Sequence, residues 1–207
     1  MKERVCRIYG HYLDPKTCLK IINHDLRKRI LHKLFVLTLD KPTTKEELAK
    51  ALDIDYSKLL YQLNAHLKGF WEVKREEKRR GAREEFIAPP ETNILFIMLG
   101  ADSTVYILDP LANLFGKIRE VGTRCDRCSN TQIYRCWEQI RGSKCFDFSR
   151  EEVIKQRKLL EINSRSAPFT PMDWIIACTA LRCLEGEGCV VEIAEDTCMF
   201  IKKMRGA

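Results

Sequence analysis

Hydrophobic residues recur at helical spacing in three successive stretches of the first half of the chain. Leu26, Ile30, Leu34 and Leu37, widened by Leu31 and Phe35, form a stripe that predicts a helix from Asp25, ended by Lys41-Pro42. Leu48, Ala49 and Leu52 mark a second helix opened by Thr44. The spacing of Thr44 to Glu47 suits a capping box, in which each side chain bonds the other residue's backbone N–H. After the turn Asp53-Ile54-Asp55, with Asp55 placed as a cap, a third helix carries Leu59, Leu60, Leu63 and Leu67 on one face. Ser57, Lys58, Tyr61, Gln62 and Ala65 fall on the other face, and Gly69 supplies the stop. Residues 70–75 and 84–87 then read as two strands. The tip between them, residues 76–83, is highly charged and contains Gly81, which tolerates positive φ. Pro89-Pro90 is a natural boundary.

The second half opens with two apolar runs, residues 94–99 and 104–108, around Gly100-Ala101-Asp102, which predict a β-hairpin. Asp109-Pro110 is read as the start of a helix whose stripe is Leu111, Leu114, Phe115, Ile118 and Val121. A loop-rich cysteine segment runs to Phe148. Ser149 and Glu152 have capping-box spacing and open a helix to about Glu161. Thr170-Pro171 opens another, with Trp174, Ile175, Cys178 and Leu181 inward and a stop near Gly186. Residues 190–194 and 198–202 read as a closing hairpin. Residues 1–20 show little periodicity and are taken as an arm or dimerisation segment.

The expected fold is therefore α+β, an N-terminal winged helix-turn-helix followed by a cysteine-rich mixed α/β domain. Its parts are an arm (1–20), a winged-helix DNA-binding domain (21–90) and a cysteine-rich sensor or dimerisation domain (91–207). Helix, helix, turn, helix and wing is the order by which such domains lay a helix in the major groove. Charge agrees with it. The chain of 207 residues carries a net charge of +7, with 20 Lys/Arg against 13 Asp/Glu in residues 1–90 and 16 against 16 in the remainder. A positive surface draws phosphate and releases condensed counterions. Lys58, Tyr61 and Gln62 are expected to read base edges, and Ser57, Asn64 and Lys68 to position the helix on the backbone. Lys78, Arg79, Arg80 and Arg83 in the wing would add contacts to phosphate or the minor groove. His66 belongs near backbone phosphate or solvent. No apolar run approaches the roughly 18 residues of a membrane span. No secretory signal is evident at the N-terminus, so a cytoplasmic protein without membrane contact is expected.

Over residues 22–88, about a third of the chain, the sequence resembles the ArsR-type winged-helix repressors, archaeal members above all. The likeness rests on Glu47-Leu48-Ala49-Lys50-Ala51-Leu52 before the recognition helix and on Tyr61, Leu63, Leu67, Gly69 and Val73 within and after it. It implies a homodimer on a palindromic double-stranded DNA operator. The Cys-Val-Cys-like pair of the metal-sensing members is missing from the recognition segment, so their metal site is not implied.

Ten cysteines without a secretory signal point to metal, cluster or redox chemistry, or to plain buried thiols. Cys125, Cys128, Cys136 and Cys145 have the spacing C-x2-C-x7-C-x8-C. Two thiolates of a Cys-x-x-Cys turn can share one ion, and two more complete a tetrahedron, so zinc is the first expectation. An iron–sulfur cluster or a dithiol switch suits the same pattern. Cys136 and Cys145 also fit a role as small core residues. Cys178 is expected to be buried and inert. Cys189 and residues 195–200 are similar to the end of the vinyl-reductase-type sensor domain of methanogen redox regulators, although the glycine between the two cysteines of that pattern is missing. Phosphate-loop, dinucleotide and nucleophile-elbow motifs are not found, and no enzyme is expected. The expected function is a DNA-binding transcriptional regulator whose cysteine-rich domain binds metal or senses redox state. The alternative is a zinc-stabilised winged-helix module for protein–protein interaction in transcription or RNA machinery.

Overall fold

The computed structural model describes residues 5–79, 82–91, 93–100, 104–140, 149–159, 170–184, 189–194 and 204. It is a mixed α+β protein. Contacts divide it into two units, Leu19–Thr92 and a second made of Met1–Cys18 with Asn93–Ala207. The chain begins with strand β1 (Val5–Tyr12) and helix α1 (Pro15–Ile22), which spans the boundary between the units. Asp14 caps α1 by accepting the Thr17 N–H at 2.9 Å.

The unit Leu19–Thr92 runs α2 (Asp25–Leu37), β2 (Thr43–Thr44), α3 (Lys45–Leu52), α4 (Tyr56–Ala65), β3 (Glu72–Arg79) and β4 (Ala82–Ala88). The apolar stripes are buried along most of their length, but Leu37, expected to extend the stripe of α2, is its last residue and is exposed. Ile30, Leu31, Leu34 and Phe35 of α2, Leu48 and Leu52 of α3, and Leu59 and Leu63 of α4 are all buried. Each such side chain contributes on the order of 1.5–3 kcal/mol by leaving water. Thr44 and Glu47 form the capping box, with Glu47 N–H to Thr44 Oγ1 at 3.1 Å and Thr44 N–H to Glu47 Oε2 at 3.0 Å. Asp53, at φ 54°, closes α3 in the left-handed region. Asp55 precedes α4 as expected, but its side chain makes no capping bond. The sheet of this unit has the order β2-β4-β3, with β3 and β4 antiparallel and a register shift between Val73 and Arg75.

The second unit is built on a five-stranded sheet with the order β7-β6-β5-β1-β8, where β5 is Ile94–Leu99, β6 Val105–Asp109, β7 Leu114–Lys117 and β8 Cys189–Ala194. β5 and β6 form the expected hairpin. The arm expected over residues 1–20 is corrected here. β1 lies inside the sheet, parallel to β5 and antiparallel to β8. Its neighbours come from far along the chain, so nothing local marks it as a central strand. The helix expected from Asp109-Pro110 is also corrected. Residues 110–113 form a turn, with Asn113 at φ 57° and the Ala112 N–H bonded to Asp109 Oδ1 at 3.1 Å. β7 then pairs with β6, and only α5 (Ile118–Val121) is helical. A short apolar run satisfies its backbone equally well in either state, and an available strand edge decides the outcome.

Three further helices cover this unit: α6 (Asn130–Ile140), α7 (Arg150–Leu159) and α8 (Pro171–Leu184). The capping box of Ser149 and Glu152 opens α7. α8 is apolar nearly all round, and every residue from Pro171 to Ala180 is buried, as such a helix must be. Thr170 and Asp173 satisfy its first N–H groups reciprocally, at 2.9 and 3.2 Å. Gly10 of β1 lets α8 approach closely, since a Cβ there would lie 2.2 Å from Thr179 Oγ1. Ile8, Leu95, Ile97, Ile107, Ile175 and Ile176 are central to the resulting core. Residues 198–202, the second half of the expected closing hairpin, lie outside the described residues. Among the described residues no helix is long and apolar enough to cross a membrane.

Candidate functional site

The two faces of α4 differ in burial. Leu59 and Leu63 point into the unit, followed by Leu67 and Phe70 beyond the helix end, and the Trp71 indole N–H bonds the Leu63 carbonyl at 3.2 Å. Ser57, Lys58, Tyr61 and Asn64 are exposed, as is Lys68 after the helix, and Tyr61 keeps 61% of its surface. The helix thus presents a hydroxyl, an amide, a phenol and ammonium groups on a rigid scaffold. These groups suit phosphate oxygens and base edges.

Gln62 is a correction. Expected on the exposed face, it is only 6% exposed, and its Oε1 accepts the Arg27 Nε–H at 3.0 Å. Its amide joins α4 to α2, and it is not presented to base edges. The i, i+3 relation to Leu59 was the available signal, because it places Gln62 on the edge of the apolar stripe.

In the β3–β4 hairpin Lys78 and Arg83 are exposed, and Arg83 pairs with Glu76 at 2.9 Å. Arg75 pairs with Glu77 at 3.1 Å and lies over the Phe86 ring at 4.2 Å. Lys45 bonds Glu85 and sits 4.9 Å from the Trp71 ring centroid. Carboxylates therefore moderate the positive field of the hairpin. Arg80 lies outside the described residues, as does the side chain of Arg79.

In the second unit the described part of the segment expected to be loop, up to residue 140, is largely helical, which is a further correction. Arg124–Arg127 form a 3₁₀ turn, and Cys136 lies on the buried face of α6 with Ile133 and Ile140. Spacings of three and four place these three side chains on one stripe. The turn is held rigidly. Gly122 has φ +76°, and a Cβ there would lie 2.1 Å from Asp126 Oδ2, the atom that accepts the Thr123 N–H. Arg124, 2% exposed, bonds both oxygens of Asp109, with Nη2 to Oδ1 at 2.6 Å, and also bonds the Asn93 side chain. No local signal marked Arg124, whose partners lie 15 and 31 residues away.

The thiol of Cys125 packs against the start of α8. Burial raises its pKa well above the usual thiol range, while hydrogen bonds from the Met172 N–H and the Thr170 side chain partly oppose this. The neighbouring Cys128 and Cys136 act in the same direction as burial. A negative charge on either of these two neighbouring sulfurs is thus felt at Cys125. Among the described residues no group of three or more His, Cys, Asp or Glu side chains is arranged to hold a metal ion. Cys145, the fourth position of the spacing, lies outside them, as does Cys198. So do the side chains of Cys6, Cys183 and Cys189. Cys18 and Cys178 are buried, and their thiols are pushed up to about 12 by burial, with Asp14 adding to the rise at Cys18 and Arg182 opposing it at Cys178. Neither resembles a reactive thiol, which needs a depressed pKa. Trp137 packs edge-on against Trp174, with ring centroids 5.8 Å apart.

Compared with known protein families the chain matches no family model, and compared with curated proteins by sequence it matches none.

Proposed function

We propose that this chain is a DNA-binding transcriptional regulator, with Leu19–Thr92 as a winged helix and α4 as its recognition helix. The observation that carries the reading is the division of α4. Leu59 and Leu63 are buried while Ser57, Lys58, Tyr61 and Asn64 stand exposed on a helix packed against α3 and bonded to α2 through Arg27 and Gln62. The order helix, strand, helix, helix, strand, strand and the sheet order β2-β4-β3 support it. Lys58 and Tyr61 contact the major groove, Ser57, Asn64 and Lys68 the backbone, and Lys78 and Arg83 of the wing add affinity. A homodimer on a two-fold operator suits this geometry. The test is duplex affinity against salt. Binding should weaken linearly on a log–log plot by about 0.9 per phosphate neutralised. Affinity independent of salt would favour the protein–protein module instead.

The second unit is assigned the sensing role, because the Cys125 thiol packs at the start of α8 and lies close enough to Cys128 and Cys136 to feel their charge. Zinc held by Cys125, Cys128, Cys136 and Cys145, or an iron–sulfur cluster there, suits the donor types and their spacing, and the three described cysteines would have to close on the ion because they are not arranged to hold one. Protein purified anaerobically should carry zinc or iron in proportion to chain, and Cys128→Ser should lower that content. Metal-free protein whose duplex affinity is indifferent to oxidant would overturn the assignment. A signal shifts DNA binding only through different affinities of its two states for the operator.

A further inference from the structure

Positive charge gathers at one end of α4 without a counter-ion. Arg27 is clamped by two bonds, Nε–H to Gln62 Oε1 at 3.0 Å and Nη1–H to the Lys20 carbonyl at 2.8 Å. These orient the guanidinium and leave its Nη2 without an acceptor among the described residues. His24 stands before the first turn of α2 and makes no side-chain capping bond. His66 follows α4, and the exposed Tyr61 ring meets it edge-on at 5.3 Å. The Nδ1 atoms of His24 and His66 are both buried and have no hydrogen-bond partner among the described residues. Burial first, then the charges of Arg27, Lys20 and His24, push the His66 imidazole below its ordinary range. The nearby Asp25 carboxylate is taken up by Lys28 at 2.7 Å and is almost fully exposed. Side chains from α1, α2 and α4 thus create a positive field with which no carboxylate among the described residues pairs, and such a field concentrates anions.

We propose that Lys20, His24, Arg27 and His66 form a phosphate seat at the C-terminal end of α4 that takes a backbone phosphate of the bound duplex. The proposal rests on the DNA-binding reading and adds to it a contact outside the recognition face and the wing. The seat adjoins Tyr61 on the exposed face of α4. Arg27 supplies its oriented Nη2 donors, Lys20 a mobile charge, and His66 a proton when the anion arrives. A phosphate dianion or diester placed among them favours imidazolium, so binding takes up protons. The sign follows from this. The free His66 pKa is lowered and the bound one is higher, so affinity increases as pH falls through the bound value and levels off below the free value.

The test follows the imidazole resonances of the full-length protein by NMR across roughly pH 5 to 8, the range of histidine titration. Three samples are compared: chloride buffer, added inorganic phosphate, and a short duplex. His66→Gln identifies the resonance and retains a polar side chain of similar size. Both phosphate and duplex should raise the His66 pKa by about one unit, equivalent to a tenfold preference for the protonated form. His66→Gln should flatten the pH dependence of duplex affinity and weaken binding most at the acid end. If duplex perturbs the Tyr61 amide but neither it nor phosphate moves His66, the seat is wrong and the DNA reading stands. A response to phosphate but not to bound duplex overturns the backbone as the source, in favour of a free anion. Absence of any duplex binding removes the DNA reading and its phosphate together, and the phosphate sample still judges whether the four residues hold an anion.

Discussion

Arg124→Ala should lower the unfolding free energy by about 3–5 kcal/mol, the usual cost of removing one partner from a buried ion pair. Arg124 and Asp109 are respectively 2% and 1% exposed, and the guanidinium bonds both carboxylate oxygens as well as Asn93. Without it the Asp109 carboxylate stays in the interior with the Ala112 N–H among its few remaining partners. The urea midpoint should therefore fall far more than for a surface substitution, which typically changes stability by about 0.5 kcal/mol or less. The double variant Arg124→Ala with Asp109→Ala should lose less than the sum of the two single changes, because it leaves no stranded charge. Additive losses would show that the pair does not act as a unit. There is a second readout. Arg124 precedes Cys125 and ties the cysteine turn to the end of β6, so its removal should speed reaction of Cys125 and Cys128 with a thiol reagent in protein that is still folded.

The second large effect separates the faces of α4. Leu63→Ala should cost about 2–5 kcal/mol of stability, since Leu63 is fully buried and its removal leaves a cavity in the core of the unit. Tyr61→Ala, two residues away, should leave stability within about 0.5 kcal/mol because most of its ring is already in water. It should instead weaken duplex binding by about 1–3 kcal/mol on a cognate site. Lys58→Ala should weaken all duplexes alike and reduce the salt slope by about one. A Tyr61→Ala protein that binds duplex with unaltered affinity would contradict the recognition-helix assignment, while loss of stability there would mean that the exposed face is structural.

Much of the first unit was legible because its signals are local. The stripes of α2, α3 and α4 lie within one helix each, and the box of Thr44 and Glu47 spans a single turn. The cysteines were harder to read. Their spacing suggested ligands on a loop, whereas Cys136 repeats with Ile133 and Ile140 at helical intervals and is as much a stripe residue as a donor. Apolar spacing from Leu111 to Val121 was equally compatible with a helix, and the open edge of β6 drew residues 114–117 into a strand.

The amino-acid sequence by itself determined the helices of the first unit, the capping box of α3, the presence of the hairpin that follows and the concentration of positive charge there, because period, capping and turn chemistry depend on residues a few positions apart. The tertiary structure alone decided that β1 is an inner strand paired with residues about 90 and 180 positions away, that Gln62 serves Arg27, and that Arg124 is an internal anchor. It also brought Lys20, His24, Arg27 and His66 to one place. Which polar group is buried, and with what partner, depends on segments that meet only after the chain has folded, and no local pattern encodes that meeting.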